Sequence, residues 1–106
     1  MSEEQPWVRV CAHADAPQPG EVRETDASGV AVCLANIGGR LHALDNWCPH
    51  RRGPLGQGWV EGNAVVCPWH SWAFDVESGE AQPPDYGHVD VFPVKEEEDA
   101  VWVRLG

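Results

Sequence analysis

CPHRRGPLGQGWVEGNAVVCPWH, from Cys48 to His70, carries two of the chain's four cysteines and two of its five histidines. They stand as Cys48-x-His50 and Cys67-x-x-His70, sixteen residues apart. Two tight Cys/His pairs allow two metal readings. One is a tetrahedral zinc ion bound by all four side chains. The other is a two-iron, two-sulfide cluster with both cysteines on one iron and both histidines on its partner. Zinc-binding turns usually supply a like pair, as in C-x-x-C or H-x-x-x-H. Here each loop offers one Cys and one His, which suits a binuclear centre to which each loop gives a ligand for both metals. Pro49 and Pro68 follow the cysteines. The turns at Arg51–Gly53 and Ser71–Ala73 are candidates to present N–H donors to the sulfurs.

The rest of the chain narrows what such a centre can serve. Its 106 residues are expected to form one domain, 1–106, small enough that a metal centre tying two loops together adds appreciably to stability. The formal net charge of -10 argues against nucleic acid and anionic membrane as partners. It permits steering toward a basic protein surface, or simply keeps the protein dissolved. The start, Met1-Ser2-Glu3-Glu4-Gln5, is acidic without an apolar export region, and no run is long enough to span a bilayer, so a cytoplasmic location is expected. Without an export signal a disulfide framework is not expected either. Cys11 and Cys33 read as buried structural thiols, Cys33 alternating with Ala31 and Ala35 on a small-residue strand face.

Helical periodicity is almost absent. Short strand-like runs recur at Trp7–Cys11, Val30–Ile37, Leu41–Leu44, Ala64–Cys67, Trp72–Val76, Val89–Val94 and Val101–Leu105, with Trp59–Glu61 joined to Ala64 through a Gly62-Asn63 turn. Gly38-Gly39 and Glu77-Ser78-Gly79 read as further turns, and the acidic run Lys95–Asp99 as a solvated hairpin tip. The pattern predicts an all-β sandwich or barrel. Three stretches escape it: Trp47–Gly53, Pro68–Trp72 and Ala81–His88. The first two carry the candidate ligands. The third, AQPPDYGH, is stiffened by adjacent prolines and is expected to cover the other two as a lid.

Taken together, CPHRRGPLGQG, CPWHSWAFD, the Gly79 turn and the proline loop resemble the Rieske family, whose motif is C-x-H, sixteen residues, C-x-x-H. The likeness covers most of the chain. It implies a Rieske fold of three stacked antiparallel sheets, with one [2Fe-2S] cluster per chain at a tip between the two ligand loops and the proline loop. Cys48 and Cys67 would hold the inner iron, His50 and His70 the outer one, whose exposed imidazole edges are the exit for an electron. Rieske proteins of cytochrome bc complexes join the ligand loops by a disulfide. Gly53 and Trp69 stand at those two places, so the likeness is to the disulfide-free branch.

A cluster whose irons are fully ligated has no open position for substrate. The chain is therefore expected to be an electron-transfer component of an oxidoreductase system without a catalytic site of its own. Because it ends soon after its last strand, no mononuclear-iron domain of a ring-hydroxylating oxygenase is expected in it. The leading expectation is a soluble one-electron carrier between a flavin reductase and a terminal oxygenase. The alternatives are the small subunit of an NAD(P)H-dependent nitrite reductase, which shares the fold, and a zinc-binding interaction module. Arg51 and Arg52 either give the tip a docking charge or are simply solvated. Trp47, Trp69 and Trp72 either shield the sulfides or pack the core, with shielding favoured for the last two. His13, His42 and His88 are not needed as ligands, and Asp75 reads as a turn or surface residue.

Overall fold

The computed structural model describes residues 6–49, 52–69 and 71–105. Among the described residues ten strands form three antiparallel sheets: β1 (Trp7–Ala12), β2 (Val22–Ala27), β3 (Val30–Ile37), β4 (Arg40–Asp45), β5 (Trp59–Glu61), β6 (Ala64–Val66), β7 (Ala73–Asp75), β8 (Val91–Phe92), β9 (Val94–Glu97) and β10 (Ala100–Arg104). The orders are β1-β10-β9, β2-β3-β4-β8 and β5-β6-β7. The three-sheet arrangement expected from the resemblance is the one observed.

The four-stranded sheet is the middle layer, and the sequence of β3 shows why. Val32 and Leu34 pack with Leu41, Ala43, Val101 and Val103, toward the β1-β10-β9 sheet. Cys33 and Ala35 face the opposite way and join Leu44, Val65, Phe74 and Val76, toward the β5-β6-β7 sheet. A strand buried on both faces loses the apolar–polar alternation and reads as a continuous apolar run, as VCLA does. The small side chains of Cys33 and Ala35 lie in the same core as Cys48 and Cys67. The sheets thus meet beneath the candidate site.

Several boundaries differ from the sequence expectation. The run Val89–Val94 is two strands, split at Pro93 and belonging to different sheets. Pro93 has no N–H for a ladder, so the chain changes sheets there. Lys95, Glu96 and Glu97 lie in β9, which leaves only Glu98 and Asp99, with φ of +54° and +63°, as the hairpin tip. The expected strands at Ala64–Cys67 and Trp72–Val76 stop short of Cys67 and Trp72. β2 was not anticipated: its sequence VRETDA is mostly polar because it is an edge strand with one face in solvent. Gly38-Gly39 and Gly62 do turn the chain, with φ of +65°, +95° and +59°.

Candidate metal centre

Cys48 follows β4 and Cys67 follows β6, and both loops make the same backbone turn. The Arg52 N–H donates to the Cys48 carbonyl (2.6 Å) and the Cys48 N–H donates to the Gly53 carbonyl (2.8 Å). In the second loop the Ser71 N–H donates to the Cys67 carbonyl (2.9 Å) and the Cys67 N–H to the Trp72 carbonyl (2.7 Å). Each cysteine therefore begins an α-turn that is closed a second time by its own N–H. The fifth residue of each turn, Arg52 or Ser71, is left-handed, with φ of +57° and +60°. A non-glycine residue held there costs on the order of 1–3 kcal/mol. Two such residues at equivalent places mark a conformation that the surroundings enforce. Within the two turns expected to present N–H donors, the Arg52 and Ser71 N–H groups are thereby spent on carbonyls.

The two cysteines share one buried core. Cys48 is 2% exposed and Cys67 1%, both in the core with Leu55, Phe74 and Val76 and neither in a disulfide. The loops touch at Gly53. A Cβ there would lie within collision distance of the Cys67 Sγ and 3.4 Å from the Trp69 Cβ. That spacing is close to the Cβ separation of a disulfide. Gly53 and Trp69 thus face each other at the two places that the resemblance assigns to the loop-bridging disulfide, and no bridge is possible between them.

The proline loop lies against both turns, as expected of a lid. A Cβ at Gly87 would stand 3.9 Å from Pro49, while the Tyr86 ring sits 6.2 Å from that of Trp72. The Gln82 N–H donates to the Ala73 carbonyl (2.9 Å) and the Ala81 N–H to that of Gly87 (2.9 Å), tying the loop to β7 and to itself. Asp75 accepts N–H bonds from Glu77 (2.8 Å) and Ser78 (3.0 Å), fixing the turn that leads into the loop. The Ser78 N–H first and the Glu77 N–H next hold the Asp75 carboxyl below its ordinary range.

His50, Arg51 and His70 lie outside the described residues. Among the described residues no cluster of three or more metal-binding side chains occurs, since only Cys48 and Cys67 of the expected set are included. Two buried thiols on matched turns fit a thiolate-bound iron pair, which takes up sulfur ligands in a dry, shaped site. Trp72 is partly buried against the cysteine core, consistent with shielding. Trp69 is 56% exposed and does not pack the interior, and Trp47 stacks under Arg52 at 5.4 Å. Tyr86, 82% exposed beside Trp72, was missed in the sequence, and its place among turn residues gave no signal. Cys33 is wholly buried as expected, and burial drives its thiol pKa upward. Cys11 is only half-buried, because it sits on β1 next to a register shift between Arg9 and Cys11. His42 is on β4, His13 pairs with Glu96 (2.9 Å), and His88 is exposed at the foot of the proline loop.

The model of the Rieske [2Fe-2S] domain matches residues 6–93. The chain belongs to the Rieske family. One [2Fe-2S] cluster follows from that membership, and the zinc alternative falls with it. The chain is 34% identical over 99 residues to Ferredoxin CarAc of Metapseudomonas resinovorans, covering 92% of each. It is 30% identical over 102 residues to the ferredoxin component of the naphthalene 1,2-dioxygenase/salicylate 5-hydroxylase systems of Ralstonia sp., covering 95% of this chain and 97% of that one. Among solved structures, a chain in the complex of reduced oxygenase and oxidized ferredoxin in carbazole 1,9a-dioxygenase superposes with a TM-score of 0.82. There the identity is 31% and the coverage 94% of both chains. Among the described residues no helix is long and apolar enough to cross a membrane.

Proposed function

We propose that this Rieske protein is a freestanding carrier that takes one electron at a time from a flavin reductase and gives it to a terminal oxygenase in the cytoplasm. Cys48, His50, Cys67 and His70 hold the cluster, and residues 1–106 act as one domain. The observation that supports this reading is the repeated turn, which brings two buried cysteines into one core, each followed within three residues of sequence by a histidine. When bound, the cluster accepts and releases a single electron.

The remaining residues serve that exchange. Trp72 and the core around Cys48 and Cys67 exclude water from the sulfurs. Trp69, Tyr86, Pro49, Pro83 and Pro84 form an exposed, mostly apolar tip around the site. Exposed aromatic residues with few rotors suit brief docking, since they lose little entropy when covered. Arg52, held over Trp47, places a positive charge at the edge of the tip in an otherwise acidic protein. The relatives named above are ferredoxins, which favours the carrier over a nitrite reductase subunit.

Stopped-flow reduction and reoxidation of the holoprotein tests the proposal. A flavin reductase should reduce it and an oxygenase component should reoxidise it. Arg52→Glu should change both rates and their salt dependence while leaving the visible spectrum intact. Failure of reduced protein to donate to any oxygenase component, with donation to a sirohaem enzyme instead, would overturn the carrier reading.

A further inference from the structure

The two cysteine turns are alike and are paired alike at the base, but what lies beyond that pair differs. The second lies inside a hairpin: Val66 pairs with Ala73 directly across its base. The first is paired at its base in the same way, Trp47 with Pro54, but this is an isolated bridge, and the chain runs on into a short 3-10 turn at Leu55–Gln57 where the second continues as a hairpin.

Asn46 holds the chain together beyond that bridge. This residue is wholly buried, two positions before Cys48. Its side-chain Oδ1 accepts the Gly56 N–H (2.8 Å) and its carbonyl accepts the Leu55 N–H (2.7 Å). Its own N–H donates to the Ala31 carbonyl (3.1 Å), fixing it to the middle sheet. The Nδ2 donates to a Glu24 carboxylate oxygen (2.8 Å), and the other oxygen accepts from Gln57 Nε2 (3.3 Å). Gly56 must be glycine for this to fit, because a Cβ would stand 2.7 Å from Asn46 Oδ1 and 2.8 Å from the Glu24 nitrogen. The Glu24 contact fixes which end of the Asn46 amide faces Gly56. That gives the otherwise unremarked strand β2 a task at the site.

We propose that Asn46, oriented by Glu24, is a positioning residue for the cluster. It sets the span of the first turn, and through the backbone it sets where the Cys48 sulfur stands. It touches no ligand itself. The inference rests on Cys48 holding the cluster.

Asn36 supplies the control. It is the other buried polar side chain among the described residues, and it closes a turn by the same chemistry, accepting from Gly39 N–H (2.8 Å) and donating to Pro17 (3.0 Å). The experiment compares Asn46→Ala, Asn46→Asp, Asn46→Asp with Glu24→Gln, Asn36→Ala and Cys48→Ser, all as holoprotein. Cluster loss to a chelator is followed by visible absorbance, the site by visible circular dichroism and midpoint potential, and the fold by denaturant titration. Asn46→Ala should lose its cluster about 10- to 100-fold faster, as removal of contacts outside the ligands does at other metal sites. Its dichroism and potential should also shift. Asn46→Asp sets two carboxylates face to face and should do the same. Adding Glu24→Gln exchanges donor and acceptor, keeps an acceptor for Gly56, and should bring the loss rate back toward wild type. Asn36→Ala should lower the denaturation midpoint and leave dichroism and potential alone. An Asn46→Asp variant that loses its cluster no faster than wild type overturns the proposal. So does a double variant no better than Asn46→Asp, or an Asn46→Ala variant that shifts only the denaturation midpoint. If Asn46→Ala yields no holoprotein, the Asp exchange decides. A Cys48→Ser protein with an unaltered spectrum would instead refute the ligand assignment.

Discussion

Phe74 is wholly buried on β7, opposite Val65, in the same packed core as Cys48 and Cys67. High-potential Rieske proteins, by the family resemblance, carry at this place a tyrosine whose hydroxyl donates to a cluster sulfur, and at the place of Trp72 a serine that does likewise. Phe74→Tyr adds one oxygen to a dry core and tests whether the missing hydroxyl lowers the potential. An unpaired buried hydroxyl costs about 1–3 kcal/mol, so the new group must find an acceptor or the variant loses that much stability. A hydrogen bond to a charged acceptor contributes roughly 1.5–3 kcal/mol, and only its strengthening on reduction moves the potential. If that increment is about 1 kcal/mol, the one-electron potential rises by about 40 mV, since 59 mV corresponds to about 1.4 kcal/mol for one electron. Protein-film voltammetry on wild type and variant reads this directly, with thermal melting alongside. The wild type should lie near the bottom of the Rieske range of roughly -150 to +300 mV. A wild-type value near the top would refute the reasoning. So would a variant of unchanged stability whose potential does not rise, because the hydroxyl would then be paired without affecting the sulfurs.

Gly53→Ala should lower iron per chain and visible absorbance, since its Cβ meets the Cys67 Sγ and stands 3.3 Å from the Trp69 ring; overpacking of this kind costs about 1–3 kcal/mol. Full cluster loading in Gly53→Ala would show that the loops can separate. Asp75→Asn should melt earlier than wild type at neutral pH. The folded Asp75 pKa lies below its ordinary value, so the charge stabilises the fold above that value and the benefit disappears as pH falls through the folded one. The difference between the two proteins should therefore shrink below about pH 4, and a gap constant with pH would remove the carboxylate from the account.

The family was legible because its motif is written in residue type and spacing, which survive without knowledge of the fold. The strand Val30–Ile37 was legible as an apolar run, but that VCLA is covered on both faces, and so lies in the middle sheet, came only with the structure. What escaped the sequence is set by tertiary hydrogen bonds. Nothing in VRETDA announces a strand, because β2 gains its order by pairing with β3 and by handing Glu24 to Asn46. Nothing in Arg52 or Ser71 announces a left-handed residue either, because neither type prefers that region. The turn there is dictated by the cysteine's own N–H and carbonyl, which bond to whatever backbone stands four and five residues on. Arg52 and Ser71, like Gly53 and Trp72, therefore stand alike relative to their cysteines with no side chain in common.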